Sequence, residues 1–279
     1  MPAEKPSERT DDDRPIGLFD SGIGGLTVLK ALWSALPQES FVYLGDTARL
    51  PYGSKSPQTI ERYCLQNIDF LLRRGVKAIV VACNTASTTL LDHGPREFPV
   101  PVYNVIEPGA AEALKASTRK QIGVLGTKAT IAAKSYARAI HAIDKEATVY
   151  QAACPLLVPL VEEGLEEDPL TNLFIYRYLQ PLLQAGVDTL ILGCTHYPAL
   201  RPGFEKVAGP NVVLVDSAQA IAHQIGNDMG TRLHPSRAPR RTEFLTTDAA
   251  QSFLEVAQRL MSPHPVPELI EVDIALPVP

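Results

Sequence analysis

Eight short apolar runs, separated by stretches mostly long enough to hold helices, leave this chain few folds to adopt. They are Ile16–Phe19, Phe41–Leu44, Ala78–Ala82, Val102–Val105, Ile122–Leu125, Thr148–Gln151, Thr189–Leu192 and Val212–Val215. Runs this short and this uniformly apolar fit strands buried on both faces, and the segments between them fit the crossovers that parallel strands require. The expected class is α/β, with mainly parallel sheets flanked by helices. A chain of 279 residues holds one large domain or two ordinary ones, and 45% hydrophobic content suits a packed core rather than a disordered or fibrous chain.

An internal echo selects two. Ile16-Gly17-Leu18-Phe19 entering a glycine-rich turn returns roughly 110 residues later as Ile122-Gly123-Val124-Leu125 entering Gly126-Thr127-Lys128. AIVVACNTAS, from Ala78, returns in the same order as TLILGCTHYP, from Thr189. Each is an apolar strand ending in a small residue, a cysteine and then hydroxyl or amide side chains. Any α/β protein repeats strand–turn–helix units, but two echoes in one order point to two related halves.

Composition narrows the partners. With 26 Lys+Arg against 31 Asp+Glu the net charge is −5, and no long basic run offers a footprint for phosphate backbones, so nucleic acid is not expected. The polar start MPAEKPSERTDDDRP lacks the apolar core of a signal peptide, and no apolar run reaches the roughly 18 residues of a membrane span. A soluble, cytoplasmic protein with reduced thiols is expected. Its cysteines, Cys64, Cys83, Cys154 and Cys194, form no C-x-x-C pair and no disulfide framework.

Ligands of open parallel sheets bind beyond the carboxyl ends of the strands, so the residues after each run are the candidates. They include Asp20, Ser21, Gly22, Gly24 and Gly25 after the first run, then Gly45, Asp46, Thr47, Pro51, Tyr52 and Gly53. Cys83, Asn84, Thr85 and Ser87 follow the third, and Cys194, Thr195, His196 and Tyr197 follow its counterpart. The loop DSGIGG lacks the G-x-G-x-x-G spacing of a dinucleotide site, and Asp20 would repel a pyrophosphate. Asp20 could instead accept hydrogen bonds from an ammonium, or handle a proton if its pKa were raised. Taken alone, Asp20-Ser21 also reads as a helix cap followed by turn glycines.

Cys83 and Cys194 carry the functional argument. A thiol between a strand and a helix N-terminus is expected to have its pKa pulled below about 8.5. Cys64, inside a helical pattern, and Cys154, before Pro155, read instead as small buried hydrophobes. Two thiols at matching places in related halves suit an inversion at a tetrahedral carbon, one removing a proton while the other supplies one to the opposite face. An acyl-transfer enzyme needs one nucleophile, one base and an oxyanion hole, and gains nothing from that symmetry. A zinc site from Cys83, Cys194 and His196 competes, without an evident fourth ligand. Lys128 would be the candidate Schiff-base lysine for pyridoxal chemistry, and reads equally as a solvated side chain.

At IGLFDSGIGG, YLGDTARLPYG, ACNTAS, GVLGTKATI, LVEEG and LGCTHYP the chain resembles the cofactor-independent aspartate/glutamate racemase superfamily, at its glutamate racemase branch. The resemblance runs from about Pro15 to Leu260. It implies two pseudo-symmetric α/β domains with the active site in the cleft between them. The first would comprise residues 15–105 plus 216–261 and the second 106–215, leaving a disordered tail over 1–14 and a poorly ordered, proline-rich tail over 262–279. It further implies L- and D-glutamate as substrates, no cofactor, no metal, and a role in supplying D-glutamate for peptidoglycan. Cys83 would act on D-glutamate and Cys194 on L-glutamate, with Asp20 assisting near Cys83, and Glu162 and His196 near Cys194. Substrate contacts would come from Asp20, Ser21, Pro51, Tyr52, Gly53, Asn84, Thr85, Thr127, Thr130, Thr195 and His196. A homodimer is one assembly open to such a chain, and nothing in the sequence selects it. Racemisation of aspartate by the same chemistry is the neighbouring reading, since one methylene in a pocket is worth only about 1–3 kcal/mol. An amino-acid-binding or protein-interaction module on the same scaffold would need neither thiol.

Overall fold

The structure, a computed structural model, describes residues 12–94, 96–229, 241–248 and 251–275. The chain opens with β1 (Ile16–Asp20), α1 (Leu26–Ala35), β2 (Phe41–Gly45), α2 (Pro57–Arg73), β3 (Ala78–Val81), α3 (Asn84–Asp92), β4 (Val102–Asn104) and α4 (Ile106–Ala116). It continues through β5 (Gln121–Gly126), α5 (Lys128–Ala133), α6 (Ser135–Ile143), β6 (Thr148–Ala153), α7 (Leu157–Glu162), α8 (Pro169–Gln184), β7 (Thr189–Gly193), α9 (Arg201–Ala208) and β8 (Val213–Asp216). The last elements are α10 (Ser217–Met229), β9 (Thr242–Thr246), α11 (Gln251–Met261) and β10 (Ile270–Glu271).

Two parallel sheets result. The first runs β10-β9-β2-β1-β3-β4 and the second β6-β5-β7-β8. Within the first, the order β2-β1-β3-β4 repeats in the second as β6-β5-β7-β8, so β1 corresponds to β5 and β3 to β7. The echo read from the sequence is therefore a repeat of topology, giving two pseudo-symmetric α/β units. All eight apolar runs are strands, with ends that differ by one or two residues.

Alternation along β1 shows why those runs are uniformly apolar. Ile16 and Leu18 enter one core with Leu26, Leu29 and Trp33 of α1, while Phe19 enters another with Ile60, Cys64 and Leu71 of α2. The first of these cores continues through Ile221 and Ile225 of α10 to Leu190 of β7 and Leu179 of α8, so apolar packing crosses from one sheet's helices to the other's. Helix starts carry their sequence signals: Ser56 caps α2 by accepting from the Thr59 N–H, and Asp168 caps α8 by accepting from the Leu170 N–H, each just before a proline.

The ends of the chain bear differently on expectation. The disorder expected over residues 1–14 falls mainly on 1–11, which lie outside the described residues; the Asp12 carbonyl accepts from Lys77 Nζ at 2.8 Å, and Lys77 is paired with Glu39 in a fully buried ion pair at 2.6 Å. The segment from Ser262 was expected to be poorly ordered throughout, and is not. Two of its residues form β10 beside β9, Val272 N–H donates to the Thr246 carbonyl, and Val266 and Ile274 are buried. Its prolines keep it from helix, but a short edge strand tolerates them nearby. β9 was missed because Thr242-Glu243 breaks the apolar run expected of a buried strand.

Ile274 shares a core with Tyr52, Leu44 and Cys83. Truncating it to Ala is expected to lower unfolding free energy by about 2–4 kcal/mol. A urea midpoint unchanged from the parent would show that the end of the chain is not part of this core.

Candidate active site

The carboxyl ends of the two sheets bring the candidate residues together. Asp20 ends β1, fully buried, and accepts from the Gly22 N–H at 3.0 Å and from the Thr195 hydroxyl at 3.4 Å. Thr195 belongs to the turn after β7, so this contact crosses between the sheets. Thr27, in the first turn of α1, donates to the Thr195 carbonyl at 2.8 Å and closes the same seam. Gly24 is the tightest point. A Cβ built there would stand 2.4 Å from His196 Nδ1 and Cε1 and 2.6 Å from Thr195 Oγ1, so no side chain fits.

Cys83 is the N-cap residue of α3, 6% exposed, with its sulfur 3.5 Å from Ser21 Oγ. Its pKa was expected to fall, and it does the reverse, rising to about 12. Burial is the chief cause and the nearby Asp20 charge adds to it, outweighing the Ser21 hydroxyl and the Ala86 N–H, which favour thiolate. The resting Cys83 is a thiol.

Cys194, also 6% exposed, follows β7 directly, but no α-helix begins there. A turn and a 3-10 helix over Tyr197–Leu200 intervene before α9, correcting the expected helix N-terminus. Pro198 and Pro202 explain it, since a single helix started at Cys194 would carry both in its interior. What Cys194 has instead is His196, with Nδ1 4.0 Å from the sulfur. Glu162, the last residue of α7, lies 3.2 Å from His196 Nε2. Burial alone would lower the His196 pKa, but hydrogen bonding and charge from Cys194 and Glu162 raise it to about 10. His196 is thus an imidazolium at neutral pH. Asp20 feels this charge too: burial raises its pKa, and His196 together with the Gly22 and Gly25 N–H groups pulls it back.

Three hydroxyls make a second crossing. Thr85 at the start of α3 stands 3.0 Å from Thr127 and 3.4 Å from Thr130, and these two are 3.0 Å apart at the start of α5. Gly53 abuts Thr127, where a Cβ would lie 3.4 Å from the threonine Cβ. Asn84 accepts from the Tyr136 hydroxyl at 2.7 Å, while its buried Nδ2 has no partner. Such an orphan donor beside the cysteine is what a carboxylate ligand would satisfy.

Two candidates differ from expectation in how they are presented. The Tyr52 hydroxyl donates to Asp46 and accepts from Asn67 Nδ2 at 3.1 Å, so its ring is committed to the core it shares with Phe19 and Cys64, and only its backbone is free to face a ligand. Pro51 is exposed. Tyr136, Thr27 and Gly24 were not singled out as working residues. Gly24 stood in the glycine loop, but nothing in sequence reveals that Tyr136 of α6 reaches Asn84. Cys64 and Cys154 are fully buried, as small hydrophobes would be. Among the described residues no group of three or more His, Cys, Asp or Glu is arranged to hold a metal, and no helix is long and apolar enough to cross a membrane.

Comparison with known proteins follows the same lines. The pattern of the Asp/Glu/Hydantoin racemase family matches residues 25–225. A glutamate racemase of Geobacter metallireducens is 45% identical over 250 residues, which is 89% of this chain and 93% of the relative. Among solved structures, a glutamate racemase isoform from Bacillus anthracis superposes with a TM-score of 0.87 at 36% identity, covering 93% of this chain and 97% of that one. The glutamate racemase of Francisella tularensis, solved with D-glutamate, gives 0.85 at 34% identity, covering 94% and 98%. With the repeated sheet order, the paired cysteine turns and relatives matched over nearly their whole length, this chain belongs to the Asp/Glu/Hydantoin racemase family.

Proposed function

We propose that the chain is a glutamate racemase that inverts Cα by transferring protons between two cysteines. The observation that carries this reading is the placement of Cys83 and Cys194 after the topologically equivalent strands β3 and β7, each 6% exposed, with a different partner group at each sulfur. Relatives that are named glutamate racemases and align along about nine-tenths of this chain support the substrate.

The chemistry follows from the two environments. In the L-to-D direction Cys194, as thiolate, takes the Cα proton and becomes a thiol, with His196 imidazolium 4.0 Å away. The electron pair left on Cα delocalises into the adjacent carboxylate. Cys83, held as thiol by its surroundings, gives its proton to the opposite face and becomes thiolate. Protons and charge balance, and the reverse direction exchanges the roles. Asp20 accepts from the substrate ammonium. The Asn84 amide, the Thr85, Thr127, Thr130 and Thr195 hydroxyls, and the backbone N–H groups at the start of α3 take the carboxylates. Developing negative charge in a water-excluded site is stabilised by such fixed donors, and the reading needs no electron-sink cofactor. The product would serve peptidoglycan synthesis as D-glutamate.

Racemisation of L-glutamate in deuterated water is expected to yield D-glutamate carrying deuterium at Cα. Cys83→Ala and Cys194→Ala should each lower turnover by about 10²–10⁴-fold. Full activity in either variant would falsify the two-thiol mechanism, and faster turnover of aspartate than of glutamate would reassign the substrate. Gly24→Ala should displace His196 and Thr195 and reduce turnover by roughly 100-fold, with a stability loss of about 1–3 kcal/mol. Retained turnover there would show that the close approach of the two loops is not required.

A further inference from the structure

Glu162 has little of its own to keep it against His196. It ends a six-residue helix, its side chain is 41% exposed, and the next turn passes through Gly164 at φ +74°. The end of that helix is gripped from another element. Arg259, near the end of α11, donates through Nη2 to the carbonyls of Val161 and of Glu162, the latter at 3.1 Å, and through Nε to Glu166 at 2.9 Å. A cation at a helix C-terminus satisfies orphan carbonyls and opposes the negative end of the dipole. At Gly164 a Cβ would lie 3.3 Å from the guanidinium, so the turn leaves the arginine room to reach in.

The grip is part of a closed circuit. Lys30 of α1 donates to the carbonyls of Leu260 and Ser262 at the end of α11, fixing that helix to the first half. Less than one turn back along α1, Thr27 holds the Thr195 carbonyl, beside His196. Lys30, Thr27, Arg259 and Glu166 line one cleft of about 620 Å³, together with Glu167 and Asp216. The His196 ring thus receives Glu162 from a helix anchored by α11, and Thr195 from a turn anchored by α1.

We propose that Arg259 is a positioning residue for the Cys194 side of the site, holding the end of α7 so that the Glu162 carboxylate stays on His196. The proposal rests on the reading of Cys194 as one of the two bases. Arg259 touches neither substrate nor thiol, and acts only through Glu162. The charged and titratable groups facing His196 are Asp20 from β1, Cys194 from the turn after β7, and Glu162 from α7.

The test uses the full chain with ¹⁵N-labelled histidine, following His196 by NMR against pH, its signal assigned by loss in His196→Gln. In the parent the imidazole is expected to titrate well above its ordinary value, pushed up to about 10. Arg259→Gln is expected to lower that value by about one unit, and kcat by roughly tenfold with KM for glutamate little changed. Arg259→Lys, which keeps a cation at the helix end, should recover most of both. Glu162→Gln should lower the titration as well, and adding Arg259→Gln to it should change nothing further. An unmoved His196 titration in Arg259→Gln overturns the proposal even if activity falls, because a purely structural arginine would act that way. So does an additional shift in the double variant. If the parent does not racemise glutamate but the titrations behave as described, the racemase reading fails and the positioning role stands.

Discussion

Everything else in the molecule depends on how closely the loop after β1 meets the turn after β7. At Gly24 the approach is so tight that the space of one methyl group is already occupied by the His196 ring and the Thr195 hydroxyl. That contact brings Asp20 against Thr195, and through His196 it joins the chemistry of one sheet to that of the other. Parallel sheets make the meeting possible, since all their strands deliver side chains at the same end. A larger residue at position 24 would push the His196 ring and Thr195 away from the loop after β1, although the apolar core still joins the two halves.

The repeat is symmetric in topology and asymmetric in electrostatics. Cys83 caps a helix and faces Ser21, with Asp20 adding negative charge, so it rests as a thiol. Cys194 has no helix behind it and faces an imidazolium supported by Glu162. The proposed two-base inversion calls for one group loaded with a proton and one ready to accept, which an exact structural duplicate would not distinguish. The halves are alike in fold and unlike in what surrounds each cysteine.

Much of the fold was legible because burial on both faces writes parallel strands as plain apolar runs, and Ile16–Phe19 or Thr189–Leu192 could be read almost to the residue. β9 escaped because it lies toward one edge of the first sheet, where Glu243 faces outward and the pattern dilutes. β10, with Ile270 and Glu271 both exposed, carries no apolar run at all. At the site, residue types and their order were readable, but their states were not. The sign of the Cys83 shift depends on burial and on Asp20, about sixty residues away in sequence. The Tyr52 hydroxyl is consumed by Asp46 and Asn67 for reasons that only packing shows. Pairings such as Tyr136 with Asn84 join positions that no local pattern connects.

The threonine cluster at the seam bears on what such a site can take in. Thr85 spans from α3 to Thr127 and Thr130 at the start of α5, so neutral hydroxyl bonds join the halves there, beside the Asp92–Arg138 ion pair and the apolar core that both halves share. Each hydroxyl both donates and accepts, and can trade its neighbour for a carboxylate oxygen or for water with little change in the number of hydrogen bonds made. An anionic ligand that takes over these three hydroxyls therefore leaves no buried polar group behind it without a partner.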